Sequence, residues 1–417
     1  MEEEKEIKVD DNFYSRSILT YDMKTMKKLL QLKVFIYGLR GLGIEVAKNI
    51  ILNGCKEVSI YDSNIVKIND LGSNFYLTEK DVGKKRRDEA CLQKLSQLNQ
   101  YVKTSILDLE QKPDINEFIE HFCQKIKKFD VVVITELQTM YFISKLDIFC
   151  RNPENNIKLI YGMCLGLAGY IFVDFGMNHI ITDTNGEECG TYLIKSISKD
   201  DKGTVVIDNI QGTNNIKFGD GSYVKFKDVG GMTELNDKEF EVRLENFETF
   251  RIGDTSKFSE YTKGGVAYQI KKPVLKQYFD FGLRSAIISD PMHRFNIPDY
   301  TKTGRPELLY LILTGIHDYF VSHENKLPEL NNMEQVKEIC EKVKQMYTIT
   351  KEQQVPWYAE IQEYDERVVL NVVRWCAANL QPVCGFFGGI IAQEIIKATG
   401  KYLPIDQWFI QDFLEIA

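Results

Sequence analysis

The residues of this chain best placed to do chemistry are Gly38, Leu39, Arg40, Gly41, Leu42 and Gly43, which follow a short β-rich run, Lys33–Tyr37. A G-x-G-x-x-G turn between a strand and a helix lets backbone N–H groups approach a nucleotide phosphate at the helix N-terminus. The first and last glycines stand at that spacing. The middle one, which permits the closest approach, is replaced by Arg40. Two readings follow: a nucleotide site in which Arg40 supplies charge, or a turn kept for tight strand–helix packing with no ligand. The second is favoured, because a lone glycine pattern is weak and a side chain at position 40 fills the space a phosphate needs. A dinucleotide site also wants an acid at the tip of the second strand for ribose hydroxyls. Asp62 stands there, with Asn64 two residues on. An aspartate at a strand end is equally a turn former.

Other chemistry is thin. The histidines at 121, 179, 293, 317 and 323 show no metal-ligand spacing, and neither GxSxG nor HExxH occurs. The nine cysteines are scattered without a CxxC pair. An odd, dispersed set argues against a disulfide framework or a four-cysteine zinc site and for a reducing compartment. Cys55, Cys164, Cys376 and Cys384 read as buried structural thiols.

The elements that must position the glycine turn form a strand–turn–helix–strand run: Lys33–Tyr37, residues 44–52 at helical spacing, then Glu57–Tyr61. Residues 84–98 predict a further helix. The continuous apolar run 129–134 predicts a strand buried on both faces of a parallel sheet, and 159–163 another. This is the opening of a doubly wound α/β fold. From Gly169 to about Ile270 the texture changes to short strands and turn glycines, predicting a small antiparallel barrel or sandwich. Phe240, Val242 and Leu244, alternating with charged residues, predict one half-buried strand. Beyond Lys272 the pattern is helical: a start at Arg305-Pro306-Glu307, an amphipathic helix over 331–346, another over 366–380, and an apolar helix over 388–398.

With 417 residues, several cores can form without staples. A net charge of −8 disfavours general nucleic-acid or anionic-membrane binding, since both want a cationic surface. The acidic start MEEEKEIKVDD lacks the apolar stretch of a signal peptide.

Read in series, Tyr14-Ser15-Arg16, GLRGLGIEVAKNIILNG, SNFYLTEKDVGKKRRDEA, ITDTNGE, FGDGSYVKFKDVGGMTELN, IGDTSKFSEYTKGG, GRPELL and FFGGIIAQEIIKATGKYLPIDQW closely resemble the N-terminal half of ubiquitin-activating enzymes. The resemblance implies a Rossmann-like pseudo-adenylation domain of ThiF/MoeB type. That domain would comprise residues 1–168 and 366–417, with an inserted β-barrel module (the first catalytic cysteine half-domain) at 169–270 and a helical bundle at 271–365. It also implies that the active adenylation domain, the thioester cysteine and a ubiquitin-fold domain follow Ala417.

The departures from an active site fit that expectation. Where active domains of the family read Asp-x-Asp, this chain has Asp62-Ser63-Asn64. Their Asn-x-Asn-Arg-Gln-Phe run becomes Asp70, Leu71, Gly72, Ser73, Asn74 and Phe75, so Ser73 replaces the phosphate arginine. A catalytic lysine corresponds to Arg86, and zinc-binding cysteine pairs are missing. Arg16 matches an arginine that reaches across to the ATP of the active domain; the resemblance implies no catalytic residue and no metal site here. ATP and Mg2+ are expected in the full-length enzyme and none on this chain alone. The implied partners are the active adenylation domain, in the same polypeptide or a partner subunit, and ubiquitin, with no nucleic acid or membrane. The implied location is cytoplasmic and nuclear. An alternative is the smaller pseudo-adenylation subunit of a heterodimeric activating enzyme for another ubiquitin-like protein. The all-β segment argues against it. An NAD-dependent oxidoreductase is disfavoured by Arg40 and by the lack of a catalytic His or Tyr–Lys pair.

Overall fold

The computed structural model describes residues 9–208, 215–278, 295–296, 300–330, 332–352, 361 and 363–415. His293 and the segment 353–360 lie outside them. Contacts divide the chain into two units. One is Met1–His179 with Lys276–Thr399 and Pro404–Ala417; the other is Ile180–Leu275 with Gly400–Leu403.

In the first unit, α1 (Ser15–Tyr21) and α2 (Met23–Leu29) lead into β1 (Lys33–Tyr37), α3 (Gly41–Asn53) and β2 (Glu57–Tyr61). α4 (Arg87–Ser96), β3 (Lys103–Ile106), α5 (Ile115–Ile126), β4 (Val131–Ile134), α6 (Met140–Arg151), β5 (Lys158–Leu165) and β6 (Ala168–Asp174) follow. Strands β3, β2, β1, β4 and β5 lie side by side in parallel. β6 joins antiparallel to β5, and the strand Trp408–Asp412 joins antiparallel to β6. The chain runs outward from β1 through β2 to β3, then returns to β4. The order therefore reverses between β1 and β4, where open α/β sheets form a crevice at the carboxyl ends of their strands.

Side-chain alternation explains the layers. Val34, Ile36, Val58, Ile60, Val131 and Val133 share one core with α3 and with Val383, Phe387, Ile391 and Ile395. Phe35, Tyr61, Val132 and Ile134 face the opposite core, with Phe122 of α5 and Phe142 of α6. α7 (Arg305–Ser322), α8 (Met333–Glu352) and α9 (Glu366–Trp375) extend that second core through Ile312, Val336, Ile339 and Val369. Burying each such side chain contributes roughly 1.5–3 kcal/mol. α3 stops where Gly54 turns left-handed at φ 88° and returns its N–H to Ile50 and Ile51, a C-terminal cap that favours glycine.

Several expectations need correction. The helix expected over 366–380 ends at Trp375, and α10 (Gln381–Lys397) starts well before residue 388, with Pro382 in its first turn. The break is tertiary: the carbonyl of Ala378 accepts from the Gly166 N–H at 3.0 Å. A Cβ at Gly166 would also lie 2.4 Å from the Trp375 carbonyl oxygen. The helix expected over 84–98 is confined to Arg87–Ser96. β6, placed by the sequence reading inside an all-β segment starting at 169, belongs to the sheet of the first unit. β3 and Trp408–Asp412 were not anticipated, being short and unpatterned.

The second unit holds a seven-stranded antiparallel sheet in the order 239–241, 223–227, 266–270, 191–197, 204–207, 249–251, 243–246. The strand expected across Phe240, Val242 and Leu244 is two strands, broken at Val242. These are the two ends of the sheet order, joined by one fully buried residue, so the chain passes directly from one edge of the sheet to the other. Val205, Val224, Phe226, Val242 and Phe250 fill its interior.

Candidate functional site

The glycine turn sits at the β1–β4 crevice, and its glycines are held by atoms of this chain. Gly38 has φ 97°, and a Cβ there would meet Glu136 Cγ at 2.4 Å and Thr135 Oγ1 at 2.8 Å. The Thr135 hydroxyl donates to the Gly38 carbonyl at 2.9 Å, tying the two strand ends together. A Cβ on Gly41 would meet Cys384 Sγ and Ser73 Cβ, each at 2.7 Å. One on Gly43 would lie 1.9 Å from the Gly38 carbonyl oxygen. The spacing of the turn thus answers a packing need.

Charged side chains close the crevice from within. Arg87, at the start of α4, is only 5% exposed. It donates from Nε and Nη2 to the two oxygens of Asp70 at 2.9 and 3.1 Å, and from Nη1 to Asp62 at 3.2 Å. Glu136 Oε1 lies 3.6 Å from the same Nη1. Asp62, the candidate ribose acid, is buried and already accepts from the Leu39 N–H at 2.8 Å and from the Asn64 N–H and amide at 3.0 Å. The Arg40 guanidinium turns to the Asn379 amide, whose oxygen, oriented toward it, accepts at 2.8 and 3.2 Å. Arg40 Nε also lies 3.9 Å from Asp70. Burial, reinforced by Asp62, pushes the Glu136 carboxyl up to about 7, against the pull of Arg40 and Arg87.

The other sequence candidates are occupied in similar ways. Ser73 is buried against Gly41. The neighbouring Asn74 donates from its amide to the Leu39 carbonyl at 2.9 Å, bracing the turn. Arg86 pairs with Asp88 at 3.1 and 2.6 Å and lies over the Tyr61 ring. Arg87 and Glu136, the centre of the network, were missed. The only sequence signal was two adjacent arginines ahead of acidic residues, which does not say which arginine turns inward.

Arg16 is elsewhere. Tyr14, two residues before it, is buried against Gly54, where a Cβ would meet the Tyr14 ring at 2.5 Å. The Asn99 amide donates to the Tyr14 hydroxyl at 3.2 Å. Gly54 caps the C-terminal end of α3, about 20 Å from the turn at its other end, given 1.5 Å of rise per residue. Arg16 is exposed, on a base fixed by Tyr14, and its side chain makes no ion pair among the described residues.

The buried cysteines are not activated thiols. Burial pushes the thiols of Cys55, Cys91, Cys123 and Cys376 up to about 12, the opposite of thiolate activation. Cys164 and Cys384 are likewise buried, and Cys189 is exposed. Among the described residues no helix is long and apolar enough to cross a membrane, and no group of three His, Cys, Asp or Glu side chains is arranged to hold a metal. The groups that could serve ATP and Mg2+ at this turn do not fit them: Arg40 stands at the close-approach position, and the carboxylates of Asp62 and Asp70 are already paired with Arg87.

Comparison with known proteins places this geometry. The ThiF family model matches residues 14–415. Ubiquitin-like modifier-activating enzyme 1 of Oryctolagus cuniculus is 34% identical over 98% of this chain and 36% of its own length. The Dictyostelium discoideum protein of that name is 34% identical over 100% of this chain and 38% of its own. The human one is 33% identical over 98% and 36%. The chain thus spans little more than a third of these curated relatives. A solved structure, E. coli MccB with succinimide, is 21% identical over 40% of this chain and 49% of that one, with a TM-score of 0.35. The sheet, its crevice and a match running through the described chain lead to one conclusion: this chain belongs to the ThiF family.

Proposed function

We propose that this chain is the non-catalytic, N-terminal half of an ATP-dependent ubiquitin-activating enzyme. In this reading it scaffolds an active adenylation domain, supplies Arg16 in trans to the ATP bound there, and helps bind ubiquitin through its barrel unit. The observation that carries the reading is the space at the glycine turn, where Arg40 stands at the close-approach position and Arg87 already holds Asp62 and Asp70. An adenylation site needs that space for phosphates. The presence of the barrel unit favours this reading over the smaller subunit of a heterodimeric enzyme.

The wild-type chain alone is expected to show no heat of binding with Mg-ATP in calorimetry. A stoichiometric dissociation constant below about 100 μM, near 5.5 kcal/mol of binding free energy, sinks the proposal. Arg16 provides the complementary test. Its exposed fork suits phosphate oxygens, and it stands at the far end of α3 from this chain's own turn. Arg16→Ala in the complete enzyme is expected to slow ATP–pyrophosphate exchange at least about tenfold, about 1.4 kcal/mol, with an unchanged melting temperature. Unaltered exchange returns Arg16 to an ordinary surface residue.

A further inference from the structure

Arg16 stands on a helix with little hold of its own. α1 has seven residues, none of them buried, and no side chain caps its start. Isolated helices shorter than about 12 residues are marginal in water. Ile18 and Tyr21 touch the first unit's core only as half-buried side chains. The residue that enters the core is Tyr14, immediately before α1 and 4% exposed. Its carbonyl accepts the Ile18 N–H at 2.9 Å and so opens the helix. Arg16 follows two residues later, so whatever holds Tyr14 also holds the base of the Arg16 side chain.

The seat of Tyr14 is built from segments distant in sequence. Gly54, which caps α3, leaves room for the ring: a Cβ there would lie 2.5 Å from Tyr14 Cε1 and Oη. Asn99 is buried, and its amide donates to the Tyr14 hydroxyl at 3.2 Å and to the Ile51 carbonyl at 3.0 Å. The phenol is thereby tied to the last turn of α3. The side-chain carbonyl of Asn99 accepts the Tyr101 N–H at 3.0 Å. The Tyr101 hydroxyl donates to Asp10 at 2.9 Å, and Asp10 also accepts the Phe13 N–H at 3.0 Å. The Phe13 ring stands edge-on to the rings of Tyr14 and Tyr101, with centroids 4.8 and 5.3 Å away. These contacts grip residues 10, 13 and 14, ahead of the helix.

We propose that Tyr14 is the positioning residue for Arg16: its seat on Gly54 and Asn99 fixes the direction in which α1 leaves the domain, and with it the place where the exposed guanidinium meets phosphate. The inference rests on the reading of Arg16 as acting in trans and adds what aims it. A group that serves a ligand held by another domain needs its base fixed, because a misplacement of about 1 Å can cost about a hundredfold in rate. An arginine on an unanchored seven-residue helix has no such base.

The test has a local and a functional arm. In the isolated full chain, trypsin is expected to cut after Arg16 at least about tenfold faster in Tyr14→Ala than in wild type, through local opening. Cutting within the second unit should not change. In the complete enzyme, Y14A is expected to slow ATP–pyrophosphate exchange at least about fivefold. Tyr14→Phe, which keeps the ring over Gly54 and loses only the hydroxyl's bond, should recover most of that loss. The double variant Y14A/R16A should be no slower than R16A, since two residues acting through one group do not add. If Y14A does not accumulate as folded protein, Tyr14→Leu keeps an apolar side chain in the seat and carries the same readouts. A folded Y14A or Y14L whose trypsin cleavage after Arg16 or whose exchange rate equals wild type overturns the inference. So does a double variant in which the two losses multiply. If R16A slows exchange while Y14A does not, the inference alone falls. If R16A itself leaves exchange unaltered, the reading of Arg16 in trans falls and takes the inference with it.

Discussion

Gly43→Ala is expected to destabilise the chain by about 3 kcal/mol or more, the upper range for overpacking a site that cannot give way. The added methyl would lie 1.9 Å from the Gly38 carbonyl oxygen and 2.6 Å from Thr135 Oγ1. Neither is the movable end of a flexible chain. The carbonyl belongs to the turn, and the hydroxyl is held by its bonds to the Tyr37 and Gly38 carbonyls. Relief requires α3 to move off β1, against the buried contacts of Ile44, Val46 and Ala47. Gly389→Ala is the internal control. It lies inside α10 with open space around it, so alanine there should stabilise by about 0.5–1 kcal/mol through helix propensity. Urea denaturation of the two variants decides the matter. A Gly43→Ala midpoint equal to wild type would mean that the last glycine of the turn is not kept for packing.

Acid should weaken the first unit through two buried histidines. Burial pushes His179 and His317 down to about 4, against about 6.5 in an unfolded chain. Between those values the unfolded chain binds a proton at each site that the folded chain refuses. Their contribution is therefore present in full above pH 6.5, declines as pH falls below it, and is exhausted near pH 4. Each site accounts for up to about 3 kcal/mol. Glu136 runs the other way: its raised value makes the folded chain the better proton acceptor from about pH 7 down to the ordinary carboxylate range. The wild-type profile mixes these effects, so the readout is a difference. His317→Gln keeps a polar group near the Tyr170 hydroxyl, which the imidazole meets at 3.1 Å, and cannot titrate. Its denaturation midpoint should fall less than that of wild type between pH 6.5 and 4.5. Parallel profiles would show that His317 is protonated freely in the fold.

The sequence by itself determined the α/β character of the first unit, the β character of the second, and the strand–turn–helix that holds Gly38 to Gly43. These are local properties: alternation and continuous apolar runs report how a segment is buried, and turn glycines report where the backbone must bend. The serial resemblance also led to the family, since order along the chain survives where single motifs are ambiguous. What only the tertiary structure decided concerns partners distant in sequence. Arg87 rather than Arg86 turns inward because Asp62, Asp70 and Glu136 arrive from three loops, while Asp88 and the Tyr61 ring hold Arg86. The break after Trp375 depends on Gly166, and the split of residues 239–246 into two edge strands falls at the buried Val242. β6 reads like the strands that follow it, and its pairing with β5 and with Trp408–Asp412 assigns it to the first unit. Periodicity states which face of a segment is buried; it is silent on what that face meets, because charge pairing and backbone clashes are set by distances across the fold.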